Sequence, residues 1–187
     1  MADIIIIGAG PAGGSAAIFS AKAGKETIVI DSNASMTKRA WIENHYGVKE
    51  IAGPELLQTG REQAEKFGAV FVEDKVIGIT SDSNSVKVST ESGQSYEAAH
   101  VILATGVSTE LASTIGLKLK DGVEPRIKTI VEVDAEGRTS LPRVWATGTI
   151  AGVSVHTIIT AGDGARVAIG VISSLNGTRY VDHDVIK

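Results

Sequence analysis

The sequence contains no cysteine among its 187 residues. This absence excludes disulfide bonds, thiolate nucleophiles, cysteine-ligated zinc and a redox-active Cys-x-x-Cys pair within this chain. Aromatic residues are also few, with two Trp, three Tyr and three Phe. Any stacking on a ligand could therefore involve only a few side chains.

Long apolar runs and an excess of basic charge are also missing. No run approaches the roughly 18 apolar residues of a membrane span, and the first residues lack the basic and apolar zones of a signal peptide. We therefore expect a cytoplasmic protein that does not contact a membrane. The formal net charge is −4, with 18 Lys and Arg against 22 Asp and Glu. Because a nucleic-acid-binding surface normally shows as a basic stripe, we expect no nucleic-acid partner, and we predict no metal site.

The start of the chain predicts a βαβ unit. Ile4–Ile7 is a β-branched run without periodicity, which is typical of a strand buried on both faces. The small, alanine-rich segment 11–23 predicts a helix that ends at Gly24, and "ETIVID" predicts a second buried strand that ends at Asp31. The total apolar content, 43% of all residues, is enough for the core of one α/β domain spanning residues 1–187.

Further elements follow in order. "GPELLQTGREQAEKFGA" predicts a helix, and residues 70–100 predict a three-stranded antiparallel meander with turns at "SDSNS" and "ESGQ". Buried strands are predicted from Val101 to Gly106 and from Arg143 to Gly148. A last helix is predicted in "TIITAGDGARVAIGVISSLNG", ending at Asn176 and Gly177.

The turn after the first strand has the spacing of a dinucleotide-binding site. Gly8, Gly10 and Gly13 follow the pattern G-x-G-x-x-G, and Asp31 stands at the end of the next strand. The glycines permit a tight turn, close approach of a pyrophosphate and close helix–strand packing. The Asp31 carboxylate can accept hydrogen bonds from ribose hydroxyls and would repel a 2′-phosphate, which favours FAD or NAD over NADP.

Five segments, in order along almost the whole chain, resemble the flavin domain of thioredoxin reductases. They are "GAGPAGGSAA…IVID", "IENHYGVKEIAGPELLQTGREQAEKFGA", "VILATG", "GRTSLPRVWATGTIAG" and "HTIITAGDGARVA". The resemblance implies a Rossmann-like FAD-binding domain with a central parallel sheet, flanking helices and a three-stranded antiparallel meander. It also implies that the cofactor is FAD and that the chain forms a homodimer.

The resemblance implies a role for each matched position. The turn with Gly8, Gly10, Pro11, Ala12 and Gly13 would hold the pyrophosphate, and Asp31 the adenosine ribose. The other cofactor-binding positions are Asn44 near the flavin ring, Val76, Thr105 and Gly106 beside the cofactor, Gly148 and Thr149 near the ribityl chain, and His156 and Thr157 at the last helix. The amino terminus of that helix would face the pyrimidine side of the flavin, where reduced flavin carries negative charge.

The chain departs from this family in four respects. The family carries a cysteine-bearing NADPH domain after the "ATG" strand, but here only 41 residues separate Gly106 from Gly148, too few for a domain. Without cysteine the chain cannot reduce disulfides by itself. Thr149 stands in place of an aspartate that binds the ribityl chain, and His156 in place of a glutamine.

Histidines are the candidate catalytic residues. His156 could hold a titrating imidazole at the flavin edge, or it could be a partly exposed residue at a helix start. His45, beside Asn44, has the same two interpretations, and Trp41 either stacks on the flavin or covers the core. His100 and His183 are interpreted as structural or surface residues.

Three functions are compatible with these residues. The first is a small FAD-dependent oxidoreductase whose electrons come from NAD(P)H, from an electron-donor protein or through a partner chain that supplies the missing domain. The second is a non-catalytic flavin-binding or redox-sensing module. The third is an NAD-binding module without flavin.

Overall fold

The computed structural model describes residues 1–182, 184 and 185. His183 lies outside the described residues. The helices are α1 (Pro11–Lys22), α2 (Gly53–Lys66), α3 (Glu110–Thr114) and α4 (Thr157–Asn176). The strands are β1 (Ala2–Ile7), β2 (Thr27–Asp31), β3 (Trp41–Ile42), β4 (Ile51–Ala52), β5 (Val70–Glu73), β6 (Val76–Ser81), β7 (Val86–Thr90), β8 (Ser95–Leu103), β9 (Leu119–Asp121), β10 (Thr129–Val131) and β11 (Val144–Ala146).

A mixed sheet forms the centre of the fold. Its strand order is β5-β2-β1-β8-β7-β6, and β11 pairs with β8. The pairs β5–β2, β2–β1, β1–β8 and β8–β11 are parallel, whereas β6, β7 and β8 form an antiparallel meander. The predicted α/β fold, with central parallel strands and a three-stranded meander, is confirmed.

The single strand β8 replaces two strands that were predicted from the sequence. β8 continues without a break through the predicted start at Val101, so the third meander strand and the third parallel strand are the same strand. Its first half pairs with β7 and its second half with β11. The predicted start of the meander near residue 70 was also wrong, because β5 pairs in parallel with β2 and the meander begins at Val76. Short β-branched runs do not show which neighbour they will pair with.

The isoleucine run of β1 divides the core into two clusters. Ile5 and Ile7 face one cluster with Val101 and Leu103, and Ile4 and Ile6 face the other, which contains the helices α1 and α4. All four isoleucines are at most 5% exposed. A strand buried on both faces needs no alternation of polar and apolar residues, which is why the run has none.

The helix α4 is apolar and 20 residues long, and its length and composition would allow it to cross a membrane. The sequence expectation that no segment passes this test is corrected. In the structure α4 packs as a core helix: Val167, Ala168, Val171 and Ile172 are fully buried in the cluster that contains α1. Gly164 allows the close crossing, because a Cβ there would overlap the backbone oxygen of Ala12.

A buried histidine joins β8 to β11. The Trp145 Nε1–H donates a hydrogen bond of 3.1 Å to His100 Nδ1, and His100 is 7% exposed. Since tryptophan can only donate, His100 Nδ1 is unprotonated. Burial lowers the pKa of His100 to about 4, and the positive charge of Arg143 acts in the same direction. The prediction that His100 is structural agrees with this position.

We predict that His100 makes the fold sensitive to acid. Its pKa is lower in the folded chain than its ordinary value of 6.5, so protons bind the unfolded chain first. The stabilisation is complete above about pH 6.5 and is lost as the pH falls toward 4, by about 3 kcal/mol in total.

Urea unfolding of the wild type and His100→Gln between pH 7.5 and pH 4 tests this prediction. The glutamine keeps an acceptor for Trp145 but does not titrate. We expect the free energy of unfolding to fall more steeply in the wild type between pH 6.5 and pH 4. Parallel curves for the two proteins would contradict it.

Candidate functional site

A cavity of about 810 Å³ opens at the carboxyl ends of the parallel strands β1, β2, β8 and β11. Open α/β sheets bind ligands at this edge, and the volume falls in the usual range for small-molecule sites. Most of the sequence-predicted site residues line it, namely Gly8, Gly10, Pro11, Ala12, Asp31, Val76, Thr105, Gly106, Gly148, Thr149 and Thr157. Strand ends from four parts of the sequence thus meet in one cavity.

The turn between β1 and α1 brings bare backbone to the cavity wall. Gly8 has φ +100°, a conformation that L side chains rarely adopt, and a Cβ there would lie 2.5 Å from Ala104 O. Gly13 does not line the cavity. It lies under the turn instead, and a Cβ on it would overlap Gly8 O. Gly13 therefore sets the distance between α1 and β1, as the third glycine of the motif does.

Asp31 holds the glycine turn in place. Its Oδ1 accepts a hydrogen bond of 2.9 Å from the Ala9 N–H, across 22 residues of sequence. Within the described part of the chain, Oδ2 accepts no hydrogen bond. One carboxylate thus orders the turn and also offers an oxygen at the cavity.

Asp163, on α4, is a residue of this region that the sequence analysis missed. It is 8% exposed, and its Oδ2 accepts hydrogen bonds from Thr147 Oγ1 at 2.7 Å and from the Gly148 N–H at 2.8 Å. Its Oδ1 accepts two more from the Arg166 guanidinium, at 2.9 and 2.8 Å. This carboxylate fixes the turn after β11, where Gly148 has φ +75°. The signal in the sequence is an acid followed three residues later by a base within an otherwise apolar helix.

The amino terminus of α4 reaches the cavity through Thr157. Among the described residues no side chain caps this helix, and its first turn contains no acidic residue, so its first amide groups are available to a ligand. His156 is the exposed residue before the helix, and its Nδ1 lies 2.8 Å from Ser154 Oγ. His45 Nδ1 lies 3.1 Å from Thr157 Oγ1, which brings the segment after β3 to the start of α4.

Four of the residues considered for a place near the flavin do not line the cavity: Trp41, Asn44, His45 and His156. Asn44 and His156 are exposed, and Trp41 is 62% exposed. The segment 41–52 is closed by the two-residue pairing of β3 with β4 and by a turn in which the Val48 N–H donates to His45 O. It lies beside the cavity, in contact with Thr157 through His45. Their proposed ligand roles stay predictions.

Other lining residues had no signal in the sequence. Ser35 accepts a hydrogen bond of 3.3 Å from the Thr37 N–H and lies beside Gly10. Pro125, Arg126 and Ile127, in the turn between β9 and β10, also line the cavity. They come from the segment between Gly106 and Gly148, which builds α3, the β9–β10 hairpin and the connection to β11.

Comparison with known proteins identifies the family. The sequence model of pyridine nucleotide-disulphide oxidoreductases matches residues 2–128 and 61–165. The chain belongs to the pyridine nucleotide-disulphide oxidoreductase family. Within the family it is similar to the thioredoxin reductases of Aquifex aeolicus, with 44% identity over 108 residues, and Peptoclostridium acidaminophilum, with 38% identity over 118 residues. These matches cover 56% and 61% of this chain, but only 33% and 37% of the relatives.

Solved structures of the family share the fold. The thioredoxin reductase of Gloeobacter violaceus superposes with a TM-score of 0.85 at 20% identity, covering 99% of each chain. The atypical thioredoxin reductase of Desulfovibrio vulgaris Hildenborough gives 0.83 at 21% identity, covering 95% of this chain and 99% of its own. The chain spans about a third of the length of the curated relatives it matches.

Two adjacent glycines of α1 make a matched pair for testing the packing of the glycine turn. In Gly13→Ala the new methyl group would overlap a backbone oxygen, whereas in Gly14→Ala it would meet no atom within 4 Å. We expect Gly13→Ala to lower the free energy of unfolding by about 3 kcal/mol. Gly14→Ala should raise it by up to about 1 kcal/mol, because alanine favours the helix.

Urea unfolding at neutral pH measures both changes. Equal effects of the two substitutions would show that the contact of Gly13 with Gly8 does not control the position of α1.

Proposed function

We propose that this chain is an FAD-binding oxidoreductase of the family that does not reduce disulfides by itself. The observation that supports it is the meeting of three features at one cavity: the glycine turn, the Asp31 carboxylate and the uncapped amino terminus of α4. An extended dinucleotide has matching parts, namely a pyrophosphate, a ribose with two hydroxyls and a ring system that becomes negatively charged on reduction.

The pyrophosphate would lie on the turn from Gly8 to Ala12. Gly10, the residue before α1, provides no side-chain cap, and the first turn of α1 contains no acidic residue. The amide groups there and the positive end of the helix dipole are therefore available to phosphate oxygens. Gly8 could not carry a side chain without meeting Ala104 O.

The adenosine would lie toward Asp31 and Val76. The Oδ2 of Asp31 would accept hydrogen bonds from ribose hydroxyls, and the charge of the carboxylate would oppose a 2′-phosphate. Val76 begins β6 and is 7% exposed, which gives the adenine an apolar neighbour.

The flavin would lie between Thr105 and Gly106 on one side and Gly148, Thr149 and Thr157 on the other. Thr149 is 7% exposed and offers a hydroxyl where the resembling reductases carry an aspartate. A neutral hydroxyl makes weaker hydrogen bonds than a carboxylate, so the ribityl chain would be held less tightly. Bound flavin would supply electron-transfer chemistry, and the protein would orient it and stabilise its charge.

The electron donor and acceptor must come from outside the described cavity. The chain contains no cysteine, and the 41 residues between Gly106 and Gly148 build a five-residue helix, a hairpin, the strand β11 and their connections. We propose that NAD(P)H or an electron-donor protein reaches the flavin directly. Homodimerisation stays a prediction from the resemblance, and a cytoplasmic location stays a prediction from the sequence.

The FAD site is tested by substituting Asp31. We expect the purified wild type to bind FAD in a titration, and Asp31→Ala to weaken binding by about 1 to 3 kcal/mol through lost charge-assisted hydrogen bonds. Asp121→Ala, which removes the same charge from an exposed residue that does not line the cavity, should leave binding unchanged. If the wild type does not bind FAD, the flavin proposal is wrong; equal affinity of Asp31→Ala and wild type would remove Asp31 from the site.

The proposed activity predicts a direct reaction with a nicotinamide cofactor. On anaerobic mixing of the FAD-loaded chain with NADH or NADPH, the visible absorption of the flavin should decrease within seconds. A flavin that binds but is reduced by neither would favour the non-catalytic module, or a flavin subunit that needs a partner chain.

A further inference from the structure

The turn of the β9–β10 hairpin, residues 122–128, forms one wall of the cavity; we call it the hairpin tip. The Gly122 N–H donates to Lys128 O at 3.0 Å, and the Ile127 N–H donates to Glu124 O at 3.0 Å. A Cβ on Gly122 would overlap Ile127 O, so the tip is tightly folded. Its residue Arg126 lines the cavity.

Two contacts place the hairpin tip beside the amino terminus of α4. Ser154 Oγ donates a hydrogen bond of 3.3 Å to Glu124 Oε2. Ser154 Oγ also lies 2.8 Å from Nδ1 of His156, the residue before α4. The hairpin also packs on the turn after β11, because a Cβ on Gly152 would lie 2.6 Å from Ile130 Cδ1. The hairpin tip, which carries Arg126, therefore lies beside the end of the cavity where the proposed function puts the flavin ring.

Arg126 differs from the other charged residues that line the cavity. Asp31 accepts from the Ala9 N–H, Asp74 accepts from the Ser92 hydroxyl, and Lys75 Nζ forms an ion pair with Glu110 at 3.6 Å. The guanidinium of Arg126 has no hydrogen-bond or ion-pair partner among residues 1–182, 184 and 185. The cavity thus carries one cation whose charge is not matched within the described chain.

The backbone of Arg126 is also costly to maintain. In the described part of the chain, three residues other than glycine have positive φ: Asn33, Arg126 and Arg143. Asparagine tolerates this conformation. The guanidinium of Arg143 donates to Ser83 O and Ala99 O, contacts that offset its strain. Arg126 has φ 69° at the third position of the turn 124–127, which Pro125 and the hydrogen bond from the Ile127 N–H to Glu124 O hold closed. The backbone alone maintains this conformation, and the guanidinium stays available to a ligand.

We propose that Arg126 binds the negative charge of reduced flavin. The inference rests on the proposed function. When oxidised flavin takes up two electrons and one proton it gains one negative charge, shared by N1 and the C2 oxygen. A guanidinium at this end of the cavity, together with the positive end of the α4 dipole, stabilises that charge and favours the reduced form.

The test compares Arg126→Gln with Lys128→Gln in the FAD-loaded chain. Both changes remove one positive charge from the hairpin tip, but Lys128 does not line the cavity. In Arg126→Gln we expect reduced FAD to bind about tenfold more weakly and oxidised FAD to bind as before. The midpoint potential, measured by dithionite titration with a reference dye, should become about 30 mV more negative, the shift for a tenfold change in a two-electron couple. Lys128→Gln should leave it unchanged, and Arg126→Lys should recover part of the shift.

The outcomes separate this inference from the proposed function. Absence of FAD binding by the wild type refutes both. Normal FAD binding with equal potentials for Arg126→Gln and wild type refutes only the role of Arg126. Equal shifts for Arg126→Gln and Lys128→Gln would show a general effect of net charge, which also refutes it. Arg126→Gly supplies an independent readout: relief of the positive φ should raise the midpoint of thermal unfolding while the potential falls as in Arg126→Gln.

Discussion

The contact between Gly13 and the backbone oxygen of Gly8 is the constraint on which the rest of the structure depends. It allows α1 to lie against the end of β1 with no side chain between them. The same closeness continues on the other side of α1, where Gly148 and Gly164 lie against Ala12. Because these residues are small, the amino terminus of α1 sits beside the ends of β1 and β11, and the cavity opens directly in front of its amide groups.

The cavity wall is then held by two carboxylates that act through backbone amides. Asp31 binds the turn after β1, and Asp163 binds the turn after β11. Asp31 lies at the end of β2 and Asp163 lies on α4, so each carboxylate comes from an element outside the turn that it binds. The positions of β2 and α4 therefore control the shape of the two turns. Hydrogen bonds to an ionised acceptor are stronger than neutral ones, which suits turns that carry no side chains for packing.

The sequence was sufficient for the elements whose local pattern is strong. The four-isoleucine strand, the glycine turn and the long terminal helix were placed to within about two residues. Strand pairing was harder to predict from the sequence. The sequence did not show that β8 pairs with both β7 and β11, or that β5 pairs in parallel with β2, because short apolar runs carry no information about their partners. Within the site, Gly8 and Asp31 follow from spacing, whereas Asp163 and Arg126 reach the region only through tertiary packing.

The hairpin tip shows what the chain does with the region between Gly106 and Gly148. The resemblance implies that the related reductases carry a nicotinamide domain in this region. Here a short hairpin forms part of the cavity wall, and the hydrogen bond from Ser154 to Glu124 joins it to the segment before α4. A hairpin cannot deliver electrons, but it can carry a charge. Under the proposed function, the same positions in the chain would contribute an electrostatic contact with the cofactor, and electrons would reach it through the part of the cavity that the hairpin leaves open.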